Sequence, residues 1–324
     1  LSIISQGVIF VKPTGSDEND GATWDSAFKT LHKALTVATP SNQIWVAAGT
    51  YLPQADKTGN MSPTYSSSKT FVMKEGVKIY GGFAGTESNL ADRNWKTNVT
   101  ILSGDHNGDD VVNVGSTFSL TNYGENSANV IFNDRNGLTS AAVLDGFTIT
   151  AGSASEAVGG SGIYNRSVSP TIENCTFINN TCGGMGAGMY NWSSSNPIVK
   201  NCNFVQNFGS VGVGMGNDGS SPTLINCSFF GNWAKAGGAL ANSSNSNPSL
   251  INCAFWGNFS LDKTFSGGIL NYGNAAPTLI NCTFSGNDGA AMYNETGTAV
   301  PVLKNCIFWG NRIEVTDPSN RVIY

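Results

Sequence analysis

An acidic, turn-forming run holds the side chains best suited to binding a cation. The run is Ser-Gly-Asp-His-Asn-Gly-Asp-Asp at residues 103–110, and it places oxygen ligands at alternating positions, on Asp105, Asn107 and Asp109. Carboxylate and amide oxygens at this spacing are typical of the first half of a calcium-binding loop. The twelfth position is Ser116 instead of a bidentate Glu, so the EF-hand pattern is incomplete.

Two further acidic residues can complete the oxygen shell around this run. Asp110 ends the run, and Glu125 lies in the loop that follows it. We therefore predict a calcium site formed by Asp105, Asn107, Asp109, Asp110 and Glu125, with calcium as the expected cofactor. The alternative is a solvated acidic turn that binds no ion.

Aromatic side chains at repeated positions are the second candidate for binding. Three directly follow a repeated Phe and three directly precede a repeated Asn: Phe230, Trp256 and Trp309, and Tyr164, Tyr190 and Tyr293. Aromatic rings stacked along one surface are typical of glycan-binding or protein-binding sites. The pattern predicts such a face, and the alternative is packing beneath a side loop or within a ladder.

Outward charges in the repeats are too sparse to predict a catalytic site. Hydrolysis of a glycan needs two carboxylates that face one groove, and β-elimination needs a basic side chain beside a cation. Glu173 and Lys200 occupy one outward column in successive repeats, where an exposed ion pair is the simplest arrangement. The sequence assigns no catalytic residue.

A repeat sets the elements that position all these residues. Asn-Cys-x-Phe occurs six times, with its cysteines at Cys175, Cys202, Cys227, Cys253, Cys282 and Cys306. The steps between these cysteines are 27, 25, 26, 29 and 24 residues, a period that indicates stacked structural units. Gly, Asn and Pro divide each unit into short β-prone runs. We predict an all-β fold, a parallel β-helix with three short strands in each coil.

Alternation within the repeat predicts which side chains face the core. Ile172 and its equivalents, the repeated Cys and the repeated Phe should face inward. The Asn before each Cys should turn the chain in left-handed or bridge-region geometry and hydrogen-bond its neighbours from coil to coil. Coils about 4.8 Å apart hold stacked cysteines too far apart for a disulfide, so a reduced, buried ladder is expected. Cys182 lies in a Gly-rich turn and should be free.

A single β-helix domain over residues 1–324 is predicted to have three parts. These are an N-terminal strand and capping helix (1–52), irregular coils with side loops (53–158) and the regular repeat coils (159–324). The capping helix is expected at residues 24–38, with Thr23 as its N-cap. Strand-like residues 321–324 without a cap predict that the chain continues, or that this end assembles end-on or as a homo-oligomer.

Composition and charge exclude some partners. The net charge of −5, without a basic cluster, disfavours nucleic acid and anionic membrane surfaces. No apolar run reaches the roughly 18 residues that span a bilayer, so no transmembrane segment is expected. The apolar residues 1–6 are either the remnant of a signal peptide or a first strand.

The N-terminal half carries a resemblance to a known group of proteins. Its motifs are FVKPTGSDENDG, WDSAFKTL, IWVAAGTY and YGGFAGTE, which start at residues 10, 24, 44 and 80. They resemble those of secreted right-handed β-helix surface proteins of Bacteroidetes and Planctomycetes. That group shares the pectate-lyase-like superfold and is similar to choice-of-anchor proteins and chlamydial polymorphic outer-membrane proteins. The resemblance implies export and a right-handed coil.

Fold, composition and resemblance together predict a function at the cell surface. We expect a secreted, non-enzymatic β-helix that serves as a structural stalk or an adhesin-like module and binds a glycan or a protein. The alternative is a polysaccharide-active lyase or hydrolase, or a carbohydrate-binding domain, on the same fold.

Overall fold

The repeats wind into a parallel β-helix, as predicted. The computed structural model describes residues 7–114, 118–154, 159–262, 265–295 and 300–312. Each strand pairs in parallel with the equivalent strand of the next coil, so the coils stack in register. The predicted strand at residues 321–324 and the N-terminal residues 1–6 lie outside the described residues. No helix in the described part of the chain is long and apolar enough to cross a bilayer.

The parallel strands of the described residues form four sheets, named A to D, that run along the axis. Sheet A contains Val8–Val11, Gln43–Ala47, Lys78–Phe83, Val143–Asp145, Thr171–Glu173, Ile198–Lys200, Thr223–Ile225, Ser249–Ile251, Thr278–Ile280 and Val302–Lys304. Sheet B contains Gly49–Tyr51, Thr100–Ser103, Phe147–Thr150, Thr176–Ile178, Asn203–Val205, Ser228–Phe230, Ala254–Trp256, Thr283–Ser285 and Ile307–Trp309. Sheet C contains Ile131–Asp134, Ile163–Arg166, Met189–Trp192, Met215–Asp218, Leu240–Ser243, Ser266–Asn271 and Ala290–Asn294. Sheet D contains Ser153–Ala154, Thr181–Met185, Phe208–Val211, Trp233–Ala234 and Phe259–Ser260.

One coil therefore passes through four short strands, in the order A, B, D and C, where three were predicted. The additional strand comes from the run after the second repeated Asn, for example Thr181–Met185. The run contains Gly183 and Gly184, so its sequence reads as a turn. Equivalent runs of successive coils nevertheless lie in register, and Cys182 pairs with Gly209 across the step. Stacking of the coils gives the backbone N–H and C=O groups of these runs hydrogen-bond partners. This gain outweighs the weak strand propensity of their residues.

Inward columns of apolar side chains build the core, as the alternation predicted. In sheet A, Ile172, Val199, Leu224, Leu250 and Leu279 are fully buried. In sheet B the repeated Phe rings stack face to face with centroids 4.6 to 5.0 Å apart, along Phe177, Phe204, Phe229, Phe255, Phe284 and Phe308. A continuous cluster of buried residues runs from Ile9 to Met292.

Asparagine ladders run beside these columns. The outer ladder is formed by the bend residues Asn174, Asn201, Asn226, Asn252, Asn281 and Asn305, which have φ between 51° and 55°. Each side-chain amide donates to the preceding Asn oxygen at 3.2 to 3.3 Å. The inner ladder is formed by Asn180, Asn207, Asn232, Asn258, Asn287 and Asn311, with amide contacts of 2.8 to 3.1 Å. A third ladder, from Asn133 to Asn294, follows sheet C. The predicted bend geometry and coil-to-coil bonding are confirmed.

The capping helix is shorter than predicted and starts later. It spans Leu31–Val37, and Thr30 rather than Thr23 is its N-cap, accepting from Lys33 N at 3.1 Å. Phe28 explains the late start, because its backbone exchanges two hydrogen bonds with the first strand, at Phe10 and Lys12. That pairing and the turn at residues 22–26 keep the preceding residues out of the helix. The helix then buries its apolar face in the core, over the first coil.

Insertions interrupt the early coils on the outside of the solenoid. Residues 53–69 and 84–98 form side loops that contain the 3-10 turns Ser66–Ser68 and Leu90–Asp92. Val111–Val114 and Phe118–Thr121 pair antiparallel as a hairpin that projects after the acidic run. These insertions build the walls and corners described next.

Candidate functional site

The outer face of sheet B carries columns of outward side chains, a groove and exposed aromatic rings. In the five strands from Thr176–Ile178 to Thr283–Ser285 the middle residue is buried and the first and third residues are at least partly exposed, as in Ser228–Phe230. Thr148, Thr176 and Asn203 pair in register and belong to one column of this face. The third residues form a parallel column of Ile178, Val205, Phe230, Trp256, Ser285 and Trp309.

A groove of about 640 Å³ lies on this face at the third to fifth strands of sheet B, beside the side loop at residues 84–98. Trp95 and Lys96, from the side loop at residues 84–98, form its wall. Its floor consists of hydroxyl and amide side chains: Thr148, Thr176, Asn203 and the outer-ladder residues Asn174, Asn201 and Asn226. Among the described residues that line the groove, Lys96 is the charged one. The floor therefore offers neutral hydrogen-bonding groups at the repeat of the coils.

A buried ion pair fixes the side loop that forms the wall to the β-helix. Arg93 Nη2 lies 2.6 Å from Asp145 Oδ2, and both side chains are less than one-tenth exposed. The Arg93 guanidinium also donates to Gly81 O at 3.1 Å and stacks over the Trp95 ring, with 5.0 Å to the centroid. A Cβ at Gly82, where φ is 93°, would lie 2.7 Å from the Trp95 backbone. This close approach leaves the groove preformed.

Three of the predicted aromatic residues extend the same face beyond the groove. Phe230 belongs to the coil at which the groove ends, and its ring stacks on Trp256 with centroids 3.6 Å apart. Trp256 is 46% exposed and Trp309 is 75% exposed. Two coil steps separate these two tryptophans, which corresponds to about 9.6 Å.

The three predicted tyrosines lie on sheet C and not with the tryptophans. Tyr164 is only 6% exposed and Tyr293 only 2%. Tyr190 is half-buried, and its hydroxyl donates to Asp218 Oδ2 at 3.3 Å. Tyr164 stacks on Phe132 at 4.8 Å and borders a second cleft of about 520 Å³ beneath the side loop at residues 53–69.

The predicted metal ligands lie close together at the base of the hairpin. Asp105, Asp109, Asp110 and Glu125 each offer a carboxylate oxygen, all within 4.8 Å of one another. Asn107 contributes its backbone N–H, which donates to Asp105 Oδ1 at 3.2 Å. Burial raises the pKa of Asp110 to about 6, and the surrounding carboxylates act in the same direction.

Asn126 belongs to this cluster but was missed from the sequence. Its Nδ2 donates to Asp110 Oδ2 at 2.8 Å. The two residues are 16 positions apart, so no local spacing connects them. The signal that could have found it is its position next to Glu125.

Carboxylates beside the groove are engaged in contacts. Asp145 pairs with Arg93, and Glu173 Oε1 lies 2.9 Å from Lys200 Nζ, which confirms the predicted exposed ion pair. The column cysteines are free and buried, except Cys306, which is partly buried. Cys182 is also free, but it lies in a buried strand of sheet D rather than in an exposed turn.

Comparisons with known proteins identify the fold family. The family model "Right handed beta helix region" matches residues 161–323, and "Protein of unknown function (DUF1565)" matches residues 13–228. No curated protein matches the sequence. The solved structure of pectate lyase Pel9A is 14% identical, with a TM-score of 0.52 over 98% of this chain and 80% of that chain. Pectin methylesterase from carrot is 12% identical, with a TM-score of 0.51 over 99% and 87%. At such identities the likeness concerns the fold, and the two family matches show that the chain belongs to the right-handed β-helix proteins of the DUF1565 family.

Proposed function

We propose that this protein is a non-catalytic, extracellular β-helix that binds an extended, uncharged polysaccharide along the outer face of sheet B. The exposed tryptophans on the same face as the amide-lined groove are the observation that carries the proposal. In this role the protein acts as an adhesin-like module, and the stacked coils act as a stalk that presents the face.

Aromatic rings at one end of the face suit the apolar faces of sugar rings. Trp256 and Trp309 expose large ring surfaces, and exposed apolar area of this size indicates a binding surface. Their separation of about 9.6 Å is close to two sugar units of an extended chain. Phe230 of the preceding coil packs against one face of the Trp256 ring, so the ring is held before a ligand arrives.

Neutral polar groups at the other end suit sugar hydroxyls. Asn174, Asn201 and Asn226 offer amides at every coil, and Thr148 and Thr176 offer hydroxyls beside them. Lys96 alone gives little attraction for a polyanion, and the net charge of −5 opposes one. Pectate and pectin appear in the names of the similar structures, which favours a polysaccharide as the ligand class.

The contacts of the nearby carboxylates support binding without catalysis. A general acid or base must reach the reacting bond, whereas Asp145 is buried against Arg93 and Glu173 is paired with Lys200. The resemblance of the N-terminal motifs to secreted surface proteins supports a location outside the cell. Buried thiols, shielded from oxidants, are compatible with that location.

Retention on insoluble polysaccharides tests this function. We expect the protein to bind cellulose, xylan or mannan more tightly than polygalacturonate. Trp256→Ala and Trp309→Ala should each weaken retention, and the double variant should abolish it. Tyr65→Ala is the matched control, because Tyr65 is 69% exposed in the loop at residues 53–69, which is not part of sheet B.

Three outcomes would contradict the proposal. These are a double tryptophan variant that binds like the wild type, preferential binding of polygalacturonate, and release of reducing ends or unsaturated sugars from any of these polymers. The first outcome would contradict binding through the aromatic face. The second would contradict an uncharged ligand, and the third would contradict a non-catalytic role.

A further inference from the structure

The acidic cluster at the base of the hairpin carries an inference that is independent of the glycan-binding face. Four carboxylates converge there, with oxygens within 4.8 Å of one another. None of the four forms an ion pair with another described residue. Like charges at this separation repel one another, so a cluster of this kind favours a bound cation.

A buried amide oxygen provides the second observation. Asn126 is only 1% exposed, and its Oδ1 is buried without a hydrogen-bond donor. Its Nδ2 is bound to the Asp110 carboxylate, so its amide lies against the cluster. Asp110 Oδ1 and Glu125 Oε1 are likewise buried without donors. Buried acceptors without a donor cost free energy unless a positive charge or a donor lies beside them.

The turn itself is held by Asp105. Its Oδ1 accepts from the backbone N–H groups of Asn107, Gly108 and Asp109 at 3.2, 2.6 and 3.4 Å. Its Oδ2 accepts from Asp110 N at 3.3 Å. These bonds shape the loop and direct the following carboxylates toward residues 125 and 126.

We propose that a calcium ion binds between Asp109, Asp110, Glu125 and Asn126 Oδ1, with Asp105 completing the shell from the turn. Carboxylate and amide oxygens are ligands for hard cations, and calcium accepts six to eight of them in flexible geometry. Magnesium requires a stricter octahedron and keeps more of its water, so this loop suits it less well. His106 is directed to Ser127, with 3.1 Å between Nε2 and Oγ, and adds no nitrogen ligand.

The ion would join two segments that leave and re-enter the solenoid. Residues 105–110 lead into the strand Val111–Val114, and residues 125 and 126 follow the strand Phe118–Thr121. A shared cation therefore closes the base of the hairpin. Calcium should protect the hairpin against proteolysis and hydrogen exchange more than it protects the regular coils.

Calorimetric titration of the chelator-treated full chain with calcium chloride tests the site at neutral pH. We expect saturable binding of one calcium ion, a weaker response to magnesium, and slower proteolysis at the hairpin. Asp110→Asn and Glu125→Gln should each weaken calcium binding about tenfold or more. Asp56→Asn is the matched control, because Asp56 accepts from the backbone of its own turn in the same way but stands outside the cluster.

Thermal melting of the same variants should give differences from the wild type that change sign when calcium is added. Without calcium, Asp110→Asn removes repulsion and should melt at or above the wild type. With millimolar calcium, the order should reverse. Absence of binding heat and of any calcium-dependent change in wild-type melting or proteolysis would overturn the proposal, as would an unchanged calcium response in both variants.

Discussion

Asp145 Oδ1 accepts a 2.8 Å hydrogen bond from Asn174 Nδ2, and this contact starts the outer asparagine ladder. An ionised carboxylate can only accept, so the Asn174 amide must present its nitrogen to Asp145 and its oxygen to the next coil. Asn201 then donates to that oxygen, and the same orientation continues to Asn305. Because Arg93 holds the other Asp145 oxygen, one buried ion pair orients the floor of the groove.

Loss of Arg93 should therefore be costly. Arg93→Ala leaves the Asp145 charge buried without its partner, and we expect it to destabilise the protein by about 3–5 kcal/mol. Lys200→Ala is the matched control, because it breaks the exposed pair with Glu173 and should cost less than about 1 kcal/mol. Urea denaturation measures both. Equal losses in the two variants would show that Asp145 does not depend on Arg93.

Bend positions should reverse the usual ranking of alanine and glycine. Asn252 has φ of 54°, a left-handed conformation that is unfavourable for alanine but open to glycine. Both substitutions remove the same ladder bonds, so Asn252→Ala should be less stable than Asn252→Gly by about 1 kcal/mol. Ala254→Gly, two residues later in the strand, should destabilise in the ordinary direction. Thermal unfolding compares the three, and a more stable alanine at position 252 would contradict the expectation.

Thiol labelling tests the predicted cysteine ladder. The protein has seven cysteines, all free, and only Cys306 is partly exposed. Native protein should therefore react with iodoacetamide at Cys306 alone, and unfolded protein at all seven positions. Cys306→Ser should remove the native reaction. Mass spectrometry that finds a disulfide between neighbouring coils, or fast native labelling of several thiols, would rule out a reduced ladder.

Alkaline pH should weaken the fold through Cys182. Burial raises the pKa of its thiol from 9.0 to about 12. The unfolded chain releases this proton above pH 9 while the folded chain retains it, so the contribution to stability is complete below pH 9 and falls as the pH rises toward 12. The loss is about 1.4 kcal/mol per pH unit in that window.

Cys182→Ala isolates this effect, because the buried tyrosines titrate in both proteins. The difference in unfolding free energy between wild type and variant should shrink as the pH rises from 9. A difference that stays constant to pH 11 would mean that Cys182 is not shielded in the folded chain.

The repeat made the solenoid predictable, while contacts between distant segments remained hidden. Each column has one environment, so the burial of Ile172 and the left-handed φ of Asn174 follow from residue type and position alone. The helix start was wrong because Phe28 pairs with Phe10 across 18 residues, which local propensity does not register. Sheet D was not predicted, because its strands form through the register between coils and their side chains give no strand pattern.

The candidate sites show the same division. The spacing of the acidic residues 105–110 predicts a cation site. Asn126 could not be predicted in the same way, because only the folded hairpin brings it next to Asp110. Trp256 and Trp309 follow from the repeat, whereas Trp95 and Lys96 come from an insertion without a periodic partner. The tyrosines share their column in the repeat, yet covering turns bury Tyr293 and leave Tyr190 half-exposed.

Identical ladders make the coil an exchangeable module. Asn226 precedes Cys227 in the same way that Asn252 precedes Cys253, so excision of residues 227–252 would join Asn226 to Cys253 and leave every ladder continuous. Gene rearrangements that add or remove one such unit would change the length of the outer face in steps of about 4.8 Å without designing a new contact. The length of the outer face is thus proportional to the number of coils. The number of repeats in a relative would therefore set the length of ligand chain that its face can bind.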